Sequence, residues 1–166
     1  MKRNFSILLV VFLSVAGVLT TFASTLDNAP FQIVLPSNDW KLNDSSAQNM
    51  GKDVFLVASI TSTKTQSKSV VIKADSKESP ASELEGLCAG IRDSFSNPAV
   101  KKLSDEETSF LGYKARHFTY EVNGNTYNEA IVFVSGKAGW TIACTGLLEQ
   151  KSEIQKLLTF YQKKNQ

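Results

Sequence analysis

One histidine and two cysteines in 166 residues leave little material for metal or nucleophile chemistry. A zinc site built on His117 would need thiolates or carboxylates for its remaining ligands. No G-x-S-x-G elbow, H-E-x-x-H, C-x-x-C or phosphate-cradling glycine loop occurs, so no catalytic site, metal or cofactor is expected from motif content. An excess of one charge is missing too. Lys2 and Arg3 account for the whole surplus of basic residues; without them basic and acidic side chains stand at 16 each, because every Asp and Glu follows Ser24. A neutral chain has no electrostatic pull toward nucleic acid or an anionic bilayer.

Long apolar runs are scarce as well, and the longest, Ile7–Val18, lies near the amino end. It follows Lys2-Arg3 and precedes Thr21-Phe22-Ala23, the layout of an export signal with its cut after Ala23. Residues 1–23 are therefore expected to be a signal peptide and 24–166 a single domain, exported to a periplasmic or extracellular space. Left uncut, Phe5–Ala23 is long enough to anchor the chain in a bilayer, the only membrane contact the sequence offers. In such a compartment Cys88 and Cys144 are the disulfide candidates, with two buried thiols as the alternative.

What is present is patterned for a sheet with helices against it. Tyr113–Val122, Tyr127–Ser135 and Trp140–Thr145 read as consecutive antiparallel strands, turned at Asn123-Gly124 and at Gly136–Gly139. Ile131–Val134 is apolar at every position, so both faces of the middle strand are expected to be covered. Earlier in the chain, Phe31–Leu35, Phe55–Ile60 and Ser69–Ala74 read as strands. Asn43–Asp53 and Thr61–Lys68 read as polar connections, and Asp105-Glu106-Glu107 as a solvated turn.

Two segments have helical spacing. Leu84, Leu87, Cys88, Ile91 and Phe95 fall on one face of a helix that starts at Ser79-Pro80 or at a Ser82/Glu85 capping box and ends by Asn97-Pro98. Gly86 and Gly90 lie opposite that stripe, marking either a close approach or a loosely built helix. Ile154, Leu157, Leu158 and Tyr161 form a second stripe behind a Ser152/Gln155 capping box. With a two-residue Asn123-Gly124 loop, Phe118 faces Glu129, His117 faces Ala130, and Arg116 lies diagonal to Glu129. If Val134 pairs with Trp140, Ala130 separates His117 from Cys144, and a thiol–imidazole pair becomes conceivable.

The series Phe31-x-Ile33-x-x-Pro36-x-x-x-Trp40, two strands, a helix, Phe110-x-Gly112-x-x-Ala115, Trp140-x-Ile142 and Leu157-Leu158-x-Phe160 resembles the PsbP-like superfamily. That group includes an extrinsic photosystem subunit, a nuclear-import factor that binds the Ran GTPase, and exported bacterial proteins of the DcrB type. The resemblance implies an α+β fold: a three-layer α-β-α sandwich with a mostly antiparallel sheet of about six strands and two main helices. It implies an accessory or binding module and carries over no catalytic residues. The expectation is a non-enzymatic exported protein acting on an unidentified protein partner. The alternative is a small-ligand pocket between sheet and helix, lined by Trp40, Tyr113 and Tyr120; a hydrolase built on His117 stands third.

Overall fold

The continuous apolar run Ile131–Val134 is buried from both sides of a sheet. In the computed structural model, which describes residues 22–26, 28–44, 47–75 and 79–164, Ile131 and Phe133 join one apolar cluster while Ala130 and Val132 join another. Strand alternation sends neighbouring side chains to opposite faces, so a run without polar interruption requires two covered faces.

The strands are β1 Phe22–Thr25, β2 Phe31–Leu35, β3 Trp40–Asn43, β4 Gln48–Gly51, β5 Val54–Ser62, β6 Lys68–Asp75, β7 Val100–Phe110, β8 Tyr113–Val122, β9 Thr126–Ser135, β10 Ala138–Leu147 and β11 Tyr161–Lys163. Eight of them form one antiparallel sheet in the order β3-β5-β6-β10-β9-β8-β7, with β4 also paired to β5. The other three form a small sheet, β1-β2-β11. The main sheet thus has eight strands where about six were expected. The extra ones come from stretches that read as polar. β4 forms within Asn43–Asp53, and the acidic run is the middle of β7, where cross-strand pairing to Arg116 and Lys114 neutralises Asp105 and Glu107.

Helix α1, Pro80–Ser94, crosses from β6 to β7 and packs on β8, β9 and β10. Ser79 caps it, its hydroxyl accepting from the Ser82 amide at 3.4 Å, with Pro80 in the first turn. Leu84 and Cys88 are buried, and Leu87, Ile91 and Phe95 pack beside them. No atom of the described residues, the helix's own backbone aside, would lie within 4 Å of a Cβ at Gly86 or Gly90, so neither glycine marks a close approach. Helix α2, Lys151–Leu157, covers the opposite face against β6, β9 and β10. Its expected capping box does not form, because Leu148–Gln150 is already a 3₁₀ turn and the helix grows out of it. The stripe also ends sooner than its spacing suggests: Leu158–Phe160 tightens to 3₁₀ and Tyr161 opens β11.

The three layers are therefore α1, the main sheet, and α2 together with the small sheet. Phe31 of β2 seals the third layer. Its ring meets Phe133, Trp140 and Tyr161 edge-on, at 6.2, 5.3 and 5.6 Å between centroids. Gly139 and Gly146 of β10 underlie the two helices. A Cβ at Gly139 would come 2.3 Å from Leu87 Cδ1 of α1, and one at Gly146 would come 3.0 Å from Ile154 Cδ1 of α2. The expected export segment lies outside the described residues up to position 21, and no helix among the described residues is long and apolar enough to cross a membrane.

Candidate functional site

A cleft of about 440 Å³ opens between the β5–β6 connection and the end of α2. Trp40 and Phe160 line its apolar floor, packed edge-to-face at 5.1 Å. Trp40 starts β3 opposite Ser62, and Phe160 is held by the 3₁₀ turn after α2, so each ring is fixed by backbone pairing or a helical turn. The connection that read as merely polar forms the wall. Ser62 Oγ accepts from the Lys64 and Thr65 amides, and the Ser62 amide donates to the Ser67 carbonyl at 2.9 Å, which closes the turn on itself.

Charges ring the opening. Lys64 Nζ lies 2.9 Å from Asp39 Oδ2, and Thr65 Oγ1 donates to Glu153 Oε1 at 2.6 Å, tying the turn to α2. Lys156, one helical turn beyond Glu153, lines the same rim and has no carboxylate partner among the described residues. The exposed Lys64–Asp39 pair contributes little to stability. It stands at the mouth of the apolar hollow.

A second polar group lies inside the third layer. Glu129 is buried, with Oε1 2.7 Å from His117 Nε2 and Oε2 without a hydrogen-bond partner among the described residues. Cys144 pairs directly with Glu129 across β9–β10 and with Ser69 across β10–β6. The Cys144 thiol donates to Ser69 Oγ at 3.5 Å, and Ser69 Oγ lies 2.6 Å from Tyr161 Oη. Burial pushes the Cys144 thiol up to about 12, the Ser69 hydrogen bond offsetting part of this and the Glu129 charge adding to it. Burial likewise raises Cys88 to about 11 and lifts Tyr161 well above its ordinary range. Neither thiol ionises near neutral pH, so neither is an activated nucleophile.

Both hairpin registers differ from expectation by one residue. Val122 pairs with Thr126 and Gly139 with Val134, so His117 faces Ile131 and Cys144 faces Glu129. Together the two shifts displace the row of His117 by two residues on β10, from Cys144 to Ile142, which keeps the face but not the pairing. His117 and Cys144 do share a face, but the partner of the imidazole is Glu129.

The disulfide does not form, and the reason is the sheet itself: Cys88 belongs to the α1 cluster, Cys144 to the cluster under α2, and both are free thiols. The expected trio Trp40, Tyr113 and Tyr120 does not assemble either. Trp40 lines the cleft, Tyr113 stacks on Phe133 at 5.6 Å, and Tyr120 packs on Phe95 across the sheet. Arg116 turns away from Glu129 to Asp105, which also accepts from Arg92 Nε at 3.0 Å. No cluster of three or more metal-ligating side chains occurs among the described residues.

No protein-family model matches the sequence, and no curated protein matches it either. Solved structures do. Cyanobacterial PsbP (CyanoP) from Synechocystis sp. PCC 6803 superposes with a TM-score of 0.60 at 11% identity, over 90% of this chain and 95% of that one. LpqN of Mycobacterium tuberculosis, described as involved in cell envelope biogenesis, superposes with a TM-score of 0.54 at 12% identity, over 85% and 87% of the two chains. At such identities the likeness speaks for architecture, and the architecture is plain: this chain has the PsbP-like fold.

Proposed function

We propose that the protein is a non-enzymatic, exported accessory protein that acts through protein–protein contacts, with the Trp40–Phe160 cleft as its contact site. The cleft carries the reading. It joins an apolar floor to a rim of both charge signs, the make-up of a surface that seats an apolar anchor within a polar surround. The thiols, which would be the chain's best nucleophiles, lie buried and protonated elsewhere. LpqN, a structural neighbour described as involved in cell envelope biogenesis, agrees with work outside the cytoplasm.

Placing a photo-crosslinking residue at Lys156 in cells that export the protein is expected to give one discrete adduct, abolished by Trp40→Ala. The same residue at Lys101, on the far edge strand, is expected to give none. Equal adducts from both positions, or none from Lys156, would overturn the reading. One observation favours a second occupant: about 440 Å³ is within the range of small-molecule pockets. In that case a saturable ligand, and no protein adduct, would protect Lys156 from amine-reactive labelling.

A further inference from the structure

Ala23 and Ser24, which flank the expected cut, fall on a structured part of the chain, strand β1. Ala23 pairs with Val34 and Ser24 with Ile33, so the Ala23–Ser24 peptide bond lies within the β1–β2 ladder. β1 is the edge strand of the small sheet and has one neighbour, β2. Ser24 Oγ donates to Asp44 Oδ2 at 2.5 Å, which places the Ser24 backbone nitrogen one side-chain length from a carboxylate.

We propose that Ala23–Ser24 is a fold-gated processing site: it is hydrolysed only while β1 is free of β2, and hydrolysis places the new Ser24 ammonium beside Asp44. The reaction is ordinary amide hydrolysis by a membrane-bound signal peptidase. Water adds to the Ala23 carbonyl carbon, the C–N bond breaks, and Ala23 leaves as a carboxylate while the Ser24 nitrogen takes up protons to become an ammonium.

Gating follows from geometry. A peptidase grips an extended substrate through its backbone groups, and in β1 those that face β2 are already bonded. Capture follows from charge. An α-amino group ordinarily titrates near 8, and a carboxylate within a few ångströms favours its charged form. The cut also removes Phe22 and Ala23 from Leu35 and Val34, leaving only Ser24 and Thr25 on that edge of β2.

The proposal rests on the export reading, and the test separates the two. Full-length precursor in detergent micelles is incubated with bacterial signal peptidase, either in denaturant the peptidase tolerates or after refolding, and the products are weighed by mass spectrometry. The expected result is rapid release of a chain beginning at Ser24 from the unfolded precursor and at least tenfold slower release after refolding. If the unfolded precursor is not cut, the export reading falls; if it is cut elsewhere, the site falls. If folded and unfolded precursors are cut at equal rates, the gate falls. For capture, the Ser24 amine of the 24–166 chain, followed by NMR, is expected to titrate roughly half a unit higher than in Asp44→Asn. Identical titration in the two proteins would overturn that part.

Discussion

Replacing His117 with alanine strands a buried charge. The Glu129 side chain is 7% exposed, one carboxylate oxygen bonds His117, and the other has no partner among the described residues. Removing the hydrogen-bond partner of a buried carboxylate costs about 3 kcal/mol or more, because the survivor stays desolvated without compensation. His117 itself is 27% exposed, so water can reach part of the vacated space, which argues for the lower end, about 3 kcal/mol. With a urea slope of about 2 kcal/mol/M, that lowers the unfolding midpoint by roughly 1.5 M. The sharper measurement is a double-mutant cycle at neutral pH, monitored by tryptophan fluorescence. Glu129→Gln removes the charge, so His117→Ala in that background is expected to cost less than about 1 kcal/mol, most of the penalty having been electrostatic. If His117→Ala costs under about 0.5 kcal/mol in the parent, or costs the same in both backgrounds, Glu129 does not depend on the imidazole and the reasoning fails.

Three further outcomes are expected. Cys88 and Cys144, with pKa values pushed to about 11 and about 12, should resist thiol reagents at pH 8 in the native protein and react at once in denaturant, with no mass change on prior reduction; rapid native labelling would contradict their burial. Burial pulls Asp105 upward, but hydrogen bonds from Arg116 and Arg92 outweigh it and hold the carboxyl below its ordinary value. Its stabilising effect is then complete above the unfolded value near 3.9 and is lost as pH falls through the lower folded value. Asp105→Asn should therefore destabilise by about 2 kcal/mol at neutral pH and flatten the acid limb of the stability profile, and an unchanged limb would count against the bridge. Gly86→Ala and Gly90→Ala should each stabilise by about 0.5–1 kcal/mol, since space is open there. Gly146→Ala should destabilise by about 1–3 kcal/mol, because Ile154 and the Ser67 backbone crowd the added methyl; thermal melts would expose the opposite order.

The elements that the sequence makes legible are those whose signal is local. The α1 stripe, the β8–β10 meander and the two-sided burial of Ile131–Val134 all follow from spacing within a dozen residues. Register at Asn123 does not. The loop takes three residues, with Asn123 and Gly124 at positive φ, and distant bonds hold it: the Asn123 amide to the Ala99 carbonyl and the Leu148 amide to the Asn125 carbonyl. Nothing in the hairpin itself announces those partners. The cleft is harder still to read, because Thr65 and Glu153 meet across 88 residues of chain and each side looks like an ordinary polar surface alone. Trp40 was the one residue of the site whose size singled it out. The acidic run misled because three consecutive carboxylates resemble a solvated turn until the cross-strand Arg116 is in place.

The pairing of β2 with β11 joins Phe31 to Lys163 and Ile33 to Tyr161, so the first strand to contribute rings to the core is completed by the last. During synthesis β2 would emerge well before that partner. Until then Phe31 and Ile33, both fully buried in the finished fold, lack their final cover. Loss of β11 would therefore fall on the centre of the molecule as much as on its periphery.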